Sequence, residues 1–209
     1  PYGRPLYADK IKQHLINIRD DGSFSLNMDF FEFVKGEKMV GEAFEKLFGH
    51  PIRQPETPIS QLECDLAASV QSVTEEVVNG LAKTAIEQTG EKNLCLAGGV
   101  ALNCVSNGAL SRSGLFDSIW VQPAAGDAGC ALGAAMDIAM KSSGRPHVKQ
   151  HKDAMLGSLL GPGFTDEQVQ AFLDKNNYTY DKYDQGQLYD KVAGHLAAGS
   201  VIGWFQGRM

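Results

Sequence analysis

NLCLAGGVALNCVSNGALSRSGLFDSIWVQPAAGDAGCALGAA, residues 93–135, contains the same local design twice. Asn93–Ala97 is a short apolar run that reads as a strand. It ends in the small-residue turn Leu96-Ala97-Gly98-Gly99-Val100, closed by Asn103, and a helix is expected over Gly99–Ser111. Ser118–Gln122 (SIWVQ) reads as a second strand, followed by the turn Pro123-Ala124-Ala125-Gly126-Asp127-Ala128-Gly129 and a helix over Ala128–Lys141. The two turns lie about thirty residues apart. With the helix that precedes it, the order helix, strand, helix, strand, helix defines an α/β fold. Short apolar strands joined by a crossover helix favour parallel neighbours buried on both faces.

Each turn admits two readings. Gly98 and Gly99 lack Cβ atoms, so the backbone can turn tightly and pack closely, or a ligand can approach it. A helix N-terminus offers free N–H groups and a positive dipole end to an anion. Asn103, with both a donor and an acceptor, sits on the side of the opening. The spacing is neither the dinucleotide G-x-G-x-x-G nor a Walker A loop. Asp127 reads either as an N-cap or as a carboxylate directed at a cation beside a phosphate site. Ligands of α/β sheets sit beyond the carboxyl ends of strands, which is where both turns fall.

Upstream, Leu62, Leu66, Val70, Val73, Val77, Leu81 and Ala85 recur at steps of three and four, which predicts one long helix from Ser60 to Thr89 with an apolar stripe. Gly90 ends it. Three prolines (Pro51, Pro55 and Pro58) make 50–60 a loop. Lys38–Phe48 reads as a helix closed by Gly49. Phe24–Phe33 reads as one or two strands with its aromatics in a core. Residues 1–22 are mixed and turn-rich, with Asp20-Asp21-Gly22 as a turn. Downstream, Ser142–Asp153 is polar, basic and rich in breakers, hence a linker. His147 and His151 have metal-ligand spacing but lie in this solvated stretch. Thr165 opens a helix with Gln168 completing a capping box. Tyr178–Tyr183 and Val201–Phe205 read as strands around a helix over Gln187–Ala198, the start of a second α/β domain. Arg208 lies just past the last of these.

The 209-residue chain carries a net charge of −6, which argues against a general nucleic-acid binder. No apolar run approaches the roughly 20 residues of a membrane span, so no membrane partner is expected. The cysteines, Cys64, Cys95, Cys104 and Cys130, include no C-x-x-C pair and are expected to be buried, reduced core thiols of a cytoplasmic protein. The chain opens on Pro1 in what reads as mid-loop, and is expected to be a fragment of a longer protein.

LCLAGGVALNCVSNG and VQPAAGDAGCALGAA closely resemble the O-carbamoyltransferases of nodulation-factor and antibiotic biosynthesis. PYGRPLY, SLNMDFFEF, LLGPGFTDEQVQAFL and VIGWFQGRM resemble further segments of that family, so the likeness runs over nearly the whole chain. It implies a partial actin-like ATPase domain, with residues 1–145 its C-terminal half, a linker at 146–155, and the truncated start of a YrdC-like α/β domain at 156–209. It also implies ATP-dependent transfer of a carbamoyl group from carbamoyl phosphate, via carbamoyl adenylate, to a hydroxyl of a sugar-like or natural-product acceptor. A divalent metal, iron, is implied, with magnesium for ATP.

By the same resemblance, Gly98, Gly99, Asn103 and Gly126 are nucleotide-binding, Tyr2 and Gly3 belong to a loop near the nucleotide, and Asp127 is a metal ligand. The family's two metal-binding histidines fall before Pro1 and its E-F-G-P-R-A-L-G segment after Met209, so this stretch alone is expected to be catalytically incomplete, with its catalytic residues unassigned. Two alternatives share the superfold: a sugar kinase, which releases ADP rather than AMP, and a non-enzymatic nucleotide-binding actin-like module.

Overall fold

In the computed structural model, which describes residues 2–34, 36–144 and 155–209, the chain forms two units, Pro1–Ser143 and Gly144–Met209. The first is organised on one 29-residue helix, labelled α3 below. Its elements in order are α1 (Ala8–His14), β1 (Ile16–Ile18), β2 (Phe24–Leu26), α2 (Glu42–Phe48), α3 (Gln61–Thr89), β3 (Asn93–Leu96), α4 (Cys104–Arg112), β4 (Ser118–Val121) and α5 (Asp127–Ser143). α1 and β1 fall in the segment expected to be mostly turns. The aromatic run Phe24–Phe33 yields β2 and a 3-10 turn, Met28–Phe30; Phe30 and Phe31 pack on the core, while Phe24 and Phe33 are exposed.

Local chemistry sets the limits of α3. Ser60 and Glu63 form a reciprocal capping box at its start, and Gly90 ends it in the left-handed conformation. The helix carries two apolar clusters. Near its N-terminal half, Val73 packs with Ile11, Leu15 and Phe48. Near its C-terminal half, Ala82 packs with Leu110 and Phe116, flanked by Leu94, Leu96 and Ile119.

The expected stripe is only partly buried. Val73 and Val77 are buried, but Val70 and Leu81 are exposed, and the polar residues Asp65 and Ser69 are buried instead. The reason is tertiary: the N-terminal loop donates Arg4 N–H to Asp65 at 2.8 Å and Tyr7 N–H to Ser69 Oγ at 3.0 Å. Further along α3, the β1–β2 hairpin lies so close that a Cβ on Gly80 would come within 2.8 Å of the Gly22 Cα.

β1 and β2 are antiparallel, whereas β3 and β4 are parallel, with Asn93 opposite Ser118 and Leu96 opposite Val121. The parallel pairing agrees with the expectation, but burial on both faces does not. Leu94, Leu96, Ile119 and Val121 are half-buried, while Cys95 and Trp120, opposite each other, share an exposed face. The cysteine expectation fails with it: Cys64 is half-buried, Cys95, Cys104 and Cys130 are exposed, and all four are free thiols. No residue of α5 is buried, for all its alanines and methionines.

The second unit contains α6 (Asp166–Lys175) and α7 (Gln185–Ala197). Thr165 and Gln168 form the expected capping box, and Asp184 caps α7 by accepting from Gln187 N–H at 2.9 Å. The strands expected at 178–183 and 201–205 do not form a ladder among the described residues. Tyr178 N–H instead donates to the Leu173 carbonyl at 3.0 Å, folding the chain back on α6, and the described pairing is an isolated antiparallel bridge between Gly163 and Arg208. The described part of this unit is therefore helical rather than α/β. His147, His151 and nearly all of the expected linker lie outside the described residues. No described helix is long and apolar enough to cross a membrane.

Candidate functional site

The two glycine turns form one structure. Gly98 adopts φ +94° and ψ 160°, a region that residues with a Cβ avoid. In that conformation its N–H donates to the Ala125 carbonyl at 2.8 Å, so the first turn is bonded to the second. One step back, Gln122 N–H donates to the Leu96 carbonyl at 3.1 Å, carrying the parallel ladder up to the turns. Both turns thus sit together beyond the carboxyl ends of β3 and β4.

The glycines are not equivalent. A Cβ built on Gly129 would lie 2.1 Å from the Ala124 carbonyl oxygen, so glycine there is required by packing. A Cβ on Gly98, Gly99 or Gly126 meets no protein atom within 4 Å. Gly98 needs its conformation, but Gly99 and Gly126 face open space that the fold itself does not fill. Beside the first turn lies an apolar hollow of about 310 Å³, with Leu96, Ala97 and Val100 in its wall.

Asn103 is not one turn into a continuous helix, as expected. A 3-10 turn, Gly99–Leu102, ends there, and Asn103 is the N-cap of α4, accepting from Ser106 N–H at 3.1 Å. Its amide also pairs with Gln71 of α3: Asn103 Nδ2 donates to Gln71 Oε1 at 2.8 Å, and Gln71 Nε2 donates to Asn103 Oδ1 at 3.2 Å. Asn103 therefore holds the first turn against α3.

Asp127 is the first residue of α5 and is exposed. Among the described residues no N–H donates to its carboxylate and no cation pairs with it. The capping reading of Asp127 thus has no bond behind it. No group of three or more His, Cys, Asp or Glu side chains converges among the described residues, so Asp127 alone does not make a metal centre.

Tyr2 and Gly3 lie elsewhere in the unit. Asp65, only 6% exposed, accepts from Arg4 N–H and from Gln61 Nε2 at 2.9 Å, while the same Gln61 nitrogen donates to the Tyr2 carbonyl at 3.1 Å. The Arg4 N–H, then the Gln61 amide, hold the Asp65 carboxyl below its ordinary range. Gly3 presses on α3, where a Cβ would come within 1.9 Å of the Cys64 carbonyl oxygen. The pinned loop and α3 border a cleft of about 660 Å³ whose walls include Tyr2, Gly3, Arg53, Gln71, Glu75 and Val105.

Gly98, Gly99, Gly126 and Asp127 are not among the residues lining that cleft. The structure thus brings together four of the expected site residues at the turns, ties Asn103 to α3, and puts Tyr2 and Gly3 on a separate cleft. Gln71 joins the two places, since it lines the cleft and pairs with Asn103. Sequence reading did not single out Gln71, Glu75 or Asp65. The available signal was a line of polar residues at steps of four, Gln61, Asp65 and Ser69, along an otherwise apolar helix.

The paired, open glycine turns lie beyond the carboxyl ends of the parallel strands, the place where ligands of α/β sheets sit. Residues 1–136 match the family described as Carbamoyltransferase N-terminus, and the chain belongs to the carbamoyltransferase family. It is 50% identical to protein sll1178 of Synechocystis sp. over 211 residues, covering 100% of this chain and 34% of that protein. It is 35% identical to the nodulation protein NolO of Bradyrhizobium diazoefficiens, covering 100% of this chain and 35% of NolO. To the 3'-hydroxymethylcephem-O-carbamoyltransferase of Amycolatopsis lactamdurans it is 33% identical over 147 residues, 70% of this chain and 25% of that enzyme. The chain spans about a third of the length of the first two relatives.

Proposed function

We propose that the protein transfers a carbamoyl group from carbamoyl phosphate to a hydroxyl of a sugar-like or natural-product acceptor, using ATP to form carbamoyl adenylate as the donor. The O-carbamoyltransferase name of the Amycolatopsis relative supports the reaction class. The observation that carries the nucleotide is the joined pair of turns. At Gly99 and Gly126 no protein atom fills the space where a side chain would be, as close approach by phosphates requires. The apolar hollow beside Ala97 and Val100 suits a nucleoside.

In this reading Gly98 sets the turn, Gly99 and Gly126 admit the phosphates, and Asn103 holds the turn in place. Asp127 is a carboxylate ligand to the magnesium that accompanies ATP. Magnesium is held in nucleotide sites by one or two carboxylates plus the phosphates, so a single unengaged carboxylate fits that ion. An iron centre needs more protein ligands than Asp127, and among the described residues no group of three or more His, Cys, Asp or Glu supplies them. The actin-like and YrdC-like assignments, and a cytoplasmic setting, belong to the same proposal.

The test is isotope exchange. The full-length protein, given ATP, magnesium and carbamoyl phosphate without acceptor, is expected to incorporate labelled pyrophosphate into ATP. Addition of an acceptor then yields AMP. Release of ADP with no pyrophosphate exchange would sink the proposal in favour of a kinase.

A further inference from the structure

Asn103 closes the first turn, and a chain of polar groups running from α3 to α4 fixes Asn103. Gln71 Nε2 carries two hydrogens. One goes to Asn103 Oδ1 at 3.2 Å and the other to Glu75 Oε1 at 2.9 Å. Asn103 Oδ1 has two lone pairs. One takes that bond, and the other takes Ser106 N–H at 3.1 Å. Gln71 Oε1 accepts from Asn103 Nδ2 at 2.8 Å, so the two amides face each other through a reciprocal pair of bonds.

The ends of this chain decide which way each amide faces. A carboxylate only accepts, so Glu75 requires the nitrogen of Gln71. A backbone N–H only donates, so Ser106 requires the oxygen of Asn103. Turning either amide over would set oxygen against oxygen and nitrogen against nitrogen across the pair. Gln71, Glu75 and Asn103 are all half-buried, so water replaces these bonds only in part.

Asn103 passes this order to the backbone. Its N–H donates to the Val100 carbonyl at 2.9 Å and closes the 3-10 turn, and its carbonyl accepts from Asn107 N–H at 2.9 Å. Asn107 Nδ2 in turn donates to the Ala101 carbonyl at 2.7 Å. The turn is thus tied at Gly98 to the Ala125 carbonyl, at Ala101 to Asn107 and at Asn103 to Gln71. The first two ties stay within the stretch from β3 to α5, whereas the Gln71 tie joins the turn to α3.

We infer that Gln71 is a positioning residue for the ligand at the glycine turns, with Glu75 setting the orientation of its amide. Gln71 acts through Asn103, which fixes where the 3-10 turn begun at Gly99 stands. The inference rests on the nucleotide reading above for the identity of that ligand, but not for the tie itself.

The experiment uses the full-length protein with two readouts, hydrogen–deuterium exchange resolved by peptide and magnesium-ATP affinity by calorimetry. Gln71→Glu keeps the acceptor for Asn103 Nδ2, removes both donors and sets a carboxylate against Glu75. Gln71→Leu removes donors and acceptor at similar size. Each is expected to speed exchange across 98–107 by roughly tenfold, the scale of one or two lost hydrogen bonds, and to weaken ATP binding by about as much. The β1–β2 hairpin is expected to exchange as in wild type. Glu75→Leu leaves Ser106 to orient the pair and is expected to speed exchange by about threefold. Wild-type exchange at 98–107 in both Gln71 variants, or equal acceleration in the hairpin, overturns the inference. So does faster exchange with unchanged ATP affinity. Wild-type exchange in Glu75→Leu overturns the role given to Glu75. If wild type binds no ATP while the Gln71 variants still loosen 98–107, the nucleotide reading falls and the positioning of the turn by Gln71 stands.

Discussion

Gly98 N–H donates to the Ala125 carbonyl at 2.8 Å, and this bond makes one ledge of two turns about thirty residues apart in sequence. The glycines around it fall into two kinds. Gly98 is needed for its backbone, while Gly99 and Gly126 have empty space where a side chain would be.

That distinction yields the first prediction. Gly98→Ala forces a Cβ into a positive-φ conformation and is expected to cost about 1–2 kcal/mol. Gly99→Ala and Gly126→Ala are expected to leave stability within about 0.5 kcal/mol, because nothing in the fold meets the new methyl group. In the full-length protein these two are nonetheless expected to weaken ATP binding at least tenfold. Thermal unfolding and nucleotide titration of the three variants separate the roles; unchanged ATP affinity in both Gly99→Ala and Gly126→Ala would remove the case for a phosphate site at the turns.

The Asn103–Gln71 pair is open to a double-mutant cycle. Asn103→Ala removes both an N-cap and a tether and is expected to cost about 1–2 kcal/mol. Gln71→Ala removes the tether and the donor to Glu75. Their coupling is expected to be about 0.5–1.5 kcal/mol, since each amide satisfies the other. Additive effects would mean that the cap alone matters.

Asp65 predicts an acid response. Its folded-state carboxyl lies below its ordinary value because Arg4 N–H and Gln61 bond to the charged form. A depressed folded value gives a contribution that is fully present above the unfolded value of about 4 and lost as pH falls through the folded one. The melting-temperature gap between wild type and Asp65→Asn is therefore expected to stay constant from pH 7 to pH 5 and to close below pH 4. A gap that holds into acid would refute the charged role.

Much of this was legible because its causes are local. Ser60, Glu63 and Gly90 mark the ends of α3 within a few residues of themselves, and Thr165 with Gln168 does the same for α6. The burial of Asp65 was not legible, because its donor at Arg4 is 61 positions away. Cys95 looked like core because its neighbours are apolar, yet a strand alternates faces and only one face of β3 is covered. Tyr178–Tyr183 had the alternation of a strand but no described partner to pair with, and alternation does not supply one. Gly98 and Gly99 were visible as a turn. Their difference came only from a dihedral angle and from the space around each.

Asp127 gives the last prediction. No N–H among the described residues donates to its carboxylate, and the side chain is exposed, so Asp127→Asn breaks no bond in α5. Its interaction with the helix dipole limits the stability change to less than about 1 kcal/mol. As a magnesium ligand it acts only when nucleotide and ion are present together. The substitution is therefore expected to lower ATP affinity at least tenfold in magnesium and to change it less than twofold in EDTA, where the ion is absent. Equal losses in both conditions would make Asp127 a contact to the nucleotide itself. No loss in either would leave its carboxylate without a role at the turns, and the phosphate site would then rest on Gly99 and Gly126 alone.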